Sequence, residues 1–299
     1  MFKNFDEMLE EIKKCDKKTV AIAAAHTPTA MEAAVMAKAE NIANSIFVGD
    51  KATIENYLKE NHPTMINSFE IIDTEKDIKK ASEVAVKLVK DGKADILLKG
   101  KCDTATLLRA ALDKEKGLRT GEILSDVLAY ETPEKIVLMS DGGINLYPEL
   151  KDKISIVKNS VRVAKGLGYE NPKVALLAAV EVVNPKMPAT IDAALIAKMN
   201  QRGQIKGCRI DGPLAFDNAI SMEAVRMKGI KSEVAGDADV LIVPNIESGN
   251  IFGKSLTYYC NYRVAHVVMG AKAPILIASR ADNSETKMLS MALGVISVQ

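Results

Sequence analysis

Short β-rich apolar runs alternate along this chain with longer segments in which apolar residues return at helical spacing. The strand candidates are 19–25 (TVAIAAA), 45–49 (SIFVG), 69–73 (FEIID), 94–100 (ADILLKG), 135–141 (KIVLMSD), 173–180 (KVALLAAV), 208–213 (CRIDGP), 239–244 (DVLIVP) and 274–279 (PILIAS). Helical patterns fill 29–43, 75–90, 150–166, 188–202 and 216–228. Thr27-Pro28 reads as an N-cap and first helical residue, reached through a short loop carrying His26. Such alternation calls for crossovers between parallel strands, with helices covering both sheet faces. The expected fold class is therefore α/β, with mainly parallel sheets in three-layer α/β/α domains. No linker rich in Pro, Gly or Ser separates the halves. A strand end at Asp141-Gly142-Gly143, followed by the long helical run from 150, marks the natural boundary. The last helical run, 284–293, can return to the first half. The expected domains are residues 1–140 with 284–299, and 141–283, with a cleft between them suited to a small molecule.

Composition narrows the partners. At 299 residues and 47% hydrophobic content the chain can fill two ordinary cores. Lys and Arg number 40 against 39 Asp and Glu, so no global field draws it to nucleic acid or anionic membrane. With 4% aromatic residues and no Trp it lacks the stacking platforms of single-strand binders. The charged amino terminus has no signal-peptide core and no later run is long enough to span a bilayer, which points to the cytoplasm. Cys15, Cys102, Cys208 and Cys260 are scattered without C-x-x-C spacing, as free thiols of a reducing compartment are. His26, His62 and His266 do not pair at ligand spacing, so no protein-built metal centre is expected.

Any anion must then be held locally, and the carboxyl ends of parallel strands are the place for it. ADILL runs into Lys99-Gly100-Lys101-Cys102-Asp103-Thr104 and a helix bearing Arg109, two ammonium groups beside a helix N-terminus. Either these residues cradle phosphate, or the lysines are solvated and Asp103 or Thr104 is only an N-cap. Cys102 could be a thiolate, although a small buried apolar role suits it better. Asp141 to Asn145 (DGGIN) and Asp211-Gly212-Pro213 follow other strands, with turn chemistry as the bland reading and substrate contact by Asp141, Asn145 and Asp211 as the sharper one. Ser248 to Ser255 (SGNIFGKS) is one glycine short of a P-loop, which keeps an NTPase as a remote alternative. Read as an exposed loop, it would still offer N–H groups at Gly249 and Asn250 to an anion. PILIAS ends in Ser279-Arg280-Ala281-Asp282, a hydroxyl beside a guanidinium.

RIDGPLAFDNA, ADVLIVPNIESGNIFGKSL and PILIASRAD, in that order, with KGKCDTATLLRAAL and LMSDGGINLYP before them, make the whole chain resemble the phosphate acetyl/butyryltransferase family. The compact length, SRAD and DGGIN are closer to its butyryltransferase branch. The resemblance implies a two-domain fold like that of isocitrate dehydrogenases, a homo-oligomer, and reversible acyl transfer between coenzyme A and inorganic phosphate. Those two are substrates, with no tightly bound cofactor. It also implies that Ser279 and Arg280 sit at the reaction centre, where Arg109 could partner the guanidinium. Phosphate acetyltransferases carry an aspartate seven residues after that serine; here Thr286 stands there, with Asp282 and Glu285 the nearest carboxylates. That departure leaves open a non-catalytic module binding acyl-CoA or acyl phosphate.

Overall fold

The computed structural model describes residues 1–279 and 282–298. The chain forms two compact units, one of Asp6–Glu122 and Ala265–Gln299, the other of Met1–Phe5 and Ile123–Val264.

The first unit opens with α1 (Phe5–Ile12), β1 (Lys18–Ala23), α2 (Pro28–Ala39), β2 (Ala43–Gly49), α3 (Lys51–Asn61), β3 (Glu70–Asp73), α4 (Ile78–Lys90), β4 (Ile96–Lys99) and α5 (Thr104–Ala111). β1 lies between β2 and β4, parallel to both, and β2 pairs parallel with β3. Val20, Ile22, Phe47, Val48, Ile96 and Leu98 are all fully buried, because helices cover both faces of a parallel sheet. Pro28 opens α2 at its first position, where its missing N–H costs nothing, with Thr27 before it as expected. Asp77 caps α4 by accepting the Lys80 N–H at 2.9 Å.

The second unit holds β5 (Ser125–Glu131), β6 (Ile136–Ser140), α6 (Leu150–Gly166), β7 (Lys173–Leu177), α7 (Pro188–Gln201), β8 (Arg209–Leu214), α8 (Phe216–Ile220), α9 (Met222–Lys228), β9 (Val240–Ile242) and α10 (Ile246–Tyr258). Its strand order is β5-β6-β9-β7-β8, parallel except for β5. Leu128, Tyr130, Met139, Ala175, Leu241 and Leu256 form its core, and Tyr130 meets Phe252 edge-on at 5.9 Å.

The chain then returns to the first unit through β10 (Val264–Met269), β11 (Ile275–Leu276) and α11 (Ser284–Val298). β11 pairs parallel with β4 and antiparallel with β10, which extends the first sheet to β3-β2-β1-β4-β11-β10. α11 packs on α2 and on β4.

All nine expected strands form, and two more accompany them. β5 and β10 hide because each mixes polar residues into its run: Asp126 and Glu131 in the first, His266 in the second. His266 lies on β10. Passage between units falls at 5/6, 122/123 and 264/265, where the sequence suggested 140/141 and 283/284. Strand pairing explains the shift, since β6 is held by β5 and β9 and so stays with the second unit, while β11 is held by β4. The helical run 216–228 breaks at Ser221, whose hydroxyl caps α9 by accepting the Ala224 N–H at 3.3 Å.

The stretch expected as a loop over SGNIFGKS is helix: Asn245 caps α10 by accepting the Ser248 N–H at 3.0 Å. Its glycines serve packing. A Cβ on Gly249 would stand 2.7 Å from the Gly142 Cα, whereas one on Gly253 would meet only the ends of two side chains, Leu128 at 3.2 Å and Met139 at 3.5 Å. We therefore expect Gly249→Ala to lower the unfolding free energy by about 1–3 kcal/mol through overpacking. Gly253→Ala is expected to leave it level or raise it by up to about 1 kcal/mol through helix propensity. Urea unfolding of the two variants checks this contrast, and equal effects would refute it.

Candidate active site

In the first unit the carboxyl ends of β1, β2, β4 and β11 share one edge, because all four strands run parallel. From β4 the chain turns so sharply that the Gly100 N–H donates to the Ala23 carbonyl and the Lys101 N–H to the Ala24 carbonyl, both at 2.8 Å. A Cβ on Gly100 would stand 2.3 Å from the Ala24 oxygen, so only glycine fits. Lys99 is 7% exposed, and its Nζ donates to the Cys102 carbonyl at 3.3 Å. Lys101 is exposed. Asp103 is the N-cap of α5, accepting the Thr106 N–H at 2.8 Å and its hydroxyl at 2.7 Å, with Thr104 as the first helical residue. Burial pushes the Cys102 thiol up, against the pull of Ser82 and Lys99, which argues against a thiolate nucleophile.

Beside this turn lies His26, absent from the sequence-based site. Its Nδ1 is buried with no hydrogen-bond partner among the described residues. Burial first, then the Lys101 ammonium, holds the imidazole below its usual pKa. A Cβ on Gly49 would approach that nitrogen to 2.9 Å, so the β2 end also leaves room for the ring.

β11 leads into Ser279, whose N–H donates to Asp282 Oδ2 at 2.7 Å, while the Asp282 N–H returns to the Ser279 carbonyl at 3.2 Å. Arg280 and Ala281 lie outside the described residues. Asn283 caps α11 by accepting the Thr286 N–H at 2.8 Å, which places Thr286 in the first helical turn. The next residue, Lys287, is 5% exposed, and its Nζ donates to the Asp282 carbonyl. Burial holds this amine below the usual lysine range; Asp282 opposes the shift and the Lys99 charge adds to it. The sequence offered one sign of it, a lysine opening the otherwise uncharged run KMLSMALGVISV. Arg109, the sixth residue of α5, lines a groove between α4 and α5 with Lys79, Lys87, Lys90, Asp113 and Lys116.

In the second unit, Asp141 follows β6 and is 2% exposed. Its carboxylate accepts the N–H groups of Gly143 (2.8 Å), Ile144 (3.0 Å) and Asn145 (3.1 Å), and the Asn145 side-chain amide at 2.6 Å. Asn145 also donates to the Leu124 carbonyl at 2.8 Å. Both side chains thus organise their own turn, as the turn reading held. Asp211 lies inside β8, opposite Ala175, and accepts the Gly212 N–H at 2.8 Å, so it does not follow the strand as expected. Gly249 is buried within α10, and exposed Asn250 donates to the Gly142 carbonyl at 3.3 Å. No group of His, Cys, Asp or Glu able to hold a metal occurs among the described residues, nor any helix long and apolar enough to cross a membrane.

Comparison with known proteins gives this edge a context. The family described as Phosphate acetyl/butaryl transferase matches residues 67–295. A phosphate butyryltransferase of Clostridium acetobutylicum is 48% identical over 99% of this chain and 98% of its own length. A phosphate acetyltransferase of Thermotoga maritima is 42% identical over 98% of this chain and 99% of its own. The crystal structure of a branched-chain phosphotransacylase from Enterococcus faecalis superimposes with a TM-score of 0.82 at 34% identity, covering 94% of this chain and 99% of that one.

Burial, then the neighbouring Asp126, pushes the Asp141 carboxyl up to about 6 from 3.8, against the pull of its turn. Between those values the folded chain holds a proton that the unfolded chain has lost, so this group weakens the fold as pH rises from about 4 to 6. We expect Asp141→Asn to gain on the wild type by about 2–3 kcal/mol between pH 4 and pH 7, the size of such a shift. Urea titrations of both proteins at the two pH values test this, and a constant difference would refute it.

Proposed function

This chain belongs to the phosphate acetyl/butyryl transferase family, and from that membership we propose that it moves a short acyl group reversibly between coenzyme A and orthophosphate, with butyryl-CoA the favoured ester. Full-length identity to a phosphate butyryltransferase is the observation that carries this reading.

The chemistry needs orientation more than activation. Orthophosphate is anionic near neutral pH, and one of its oxygens attacks the thioester carbonyl carbon. The carbonyl electron pair moves onto oxygen, the tetrahedral oxyanion collapses, the C–S bond breaks, and the coenzyme A thiolate leaves and takes up a proton. Acyl phosphate and the thiol are the products. No electron is gained or lost, so coenzyme A and phosphate suffice as substrates without a tightly bound cofactor. In this reading Arg280 grips phosphate oxygens with its planar fork, and the Ser279 hydroxyl donates to the oxyanion. Asp282 holds the Ser279 turn through its carboxylate, a positioning role that suits it better than general base. Lys99 and Lys101 supply cationic contacts from the end of β4, and Gly100 permits the tight turn that carries them.

Release of free thiol from butyryl-CoA in the presence of phosphate tests the reaction, with acetyl- and propionyl-CoA as comparisons. One methylene in an apolar pocket is worth about 1–3 kcal/mol, so preference among them reads as roughly 10- to 200-fold in kcat/KM. Arg280→Ala is expected to lose about 100-fold or more in turnover while its thermal unfolding stays cooperative, as removal of one transition-state donor does. Wild-type rates in that variant would take Arg280 out of the mechanism. A binding module without turnover is the second reading, favoured by Thr286 at the position of the aspartate. It predicts stabilisation by butyryl-CoA with no phosphate-dependent thiol.

The proposal extends to a homo-oligomer in the cytoplasm. Phe216, Ile220, Ile251 and Tyr258 stand 42%, 45%, 68% and 61% exposed on α8 and α10, apolar surface that a second copy of the chain would cover. Light scattering that returns the mass of a single chain would remove the oligomer.

A further inference from the structure

The carboxyl edge of the first unit carries two buried ammonium groups and too little negative charge beside them. Lys99, at the end of β4, and Lys287, in the first turns of α11, are 7% and 5% exposed. Each has a backbone carbonyl as its hydrogen-bond partner, Cys102 for the one and Asp282 for the other. Neither makes an ion pair with a carboxylate among the described residues. Asp282, whose charge Lys287 feels, is engaged with the Ser279 N–H. The two amines, meanwhile, repel each other. Removing like charges from water is costly unless an opposite charge completes the site. A lysine kept inside a helix otherwise rich in Met, Leu and Ala is therefore arranged for an anion that comes and goes.

We infer that Lys287 is a binding residue for orthophosphate, which it and Lys99 hold together at the carboxyl edge of β4 and β11. Both amines lie almost wholly beneath the surface, which suits a small, compact oxyanion better than a phosphate carried on a nucleotide. Lys287 also ties the Ser279 turn to α11 through the Asp282 carbonyl, so an anion gathered there meets the residues of the proposed reaction. That this anion is the attacking substrate rests on the acyl-transfer reading; the existence of the site does not.

Thermal unfolding of the full chain in increasing inorganic phosphate, with coenzyme A as a separate arm, reads the site directly. The wild type is expected to gain stability with phosphate. Lys287→Met, similar in length and uncharged, is expected to lose most of that gain. In turnover, the same variant should raise the KM for phosphate about tenfold or more, as loss of one charge-assisted contact does, and change the KM for butyryl-CoA less than about threefold. If the Met variant does not fold, Lys287→Gln, which can still donate a hydrogen bond but carries no charge, is read in the same way. Equal phosphate gains in wild type and variant would overturn the inference. So would no gain in the wild type, or a variant that shifts only the coenzyme A response. Should the wild type release no thiol from any short acyl-CoA, the acyl-transfer reading falls alone, and the phosphate arm still decides the site.

Discussion

The parallel pairing of β11 with β4 is the constraint on which the site depends. A segment near the carboxyl terminus, after a second unit has been built, comes back beside a strand laid down near residue 96. Ile275 meets Leu97 and Leu276 meets Leu98. Both strands then end at one edge, so Ser279 and Lys99, far apart in sequence, leave the sheet side by side. α11 fixes that return: Leu289, Met291, Ala292 and Leu293 are all but fully buried, and the helix lies on α2 and β4. Burying the Leu and Met side chains contributes about 1.5–3 kcal/mol each, ample to offset the two short, turn-rich connections around β11.

Much of this was legible in the residues. Parallel strands buried on both faces read as continuous apolar runs, and each of the nine expected became a strand. β5 and β10 escaped because antiparallel neighbours at a sheet's flank need no crossover helix to announce them, and because Asp126 and His266 interrupt their apolar runs. Domain limits slipped for the same cause, since β5 is what keeps β6 in the second unit. Sequence periodicity reports what an element buries, not which strand it pairs with.

Candidate site residues divided along a similar line. Polar residues after strands were expected at a ligand crevice, and several are spent on the backbone instead: Asp141 and Asn145 on their turn, Asp103 on α5, Asp211 within β8. A near-match to a glycine-rich phosphate loop turned out to be a helix whose first glycine allows contact with Gly142. Glycine permits close approach of a backbone or of a ligand, and spacing alone does not separate the two. Lys287 was missed for the opposite reason. A helix that is apolar all round hides a buried charge, and only packing shows that this one points inward.

Thr286 at the place of an aspartate also reads differently once the turn is seen. The Thr286 N–H closes the cap of α11 on Asn283, and the next residue, Lys287, carries the charge inward. A carboxylate at 286 would assist ionisation of a thiol by taking its proton. For attack by phosphate on a thioester the thiolate is the leaving group, and it departs without giving up a proton, so that direction of the proposed reaction needs no base at 286. The buried lysine beside that position then serves the anion that attacks, and threonine costs the forward step nothing.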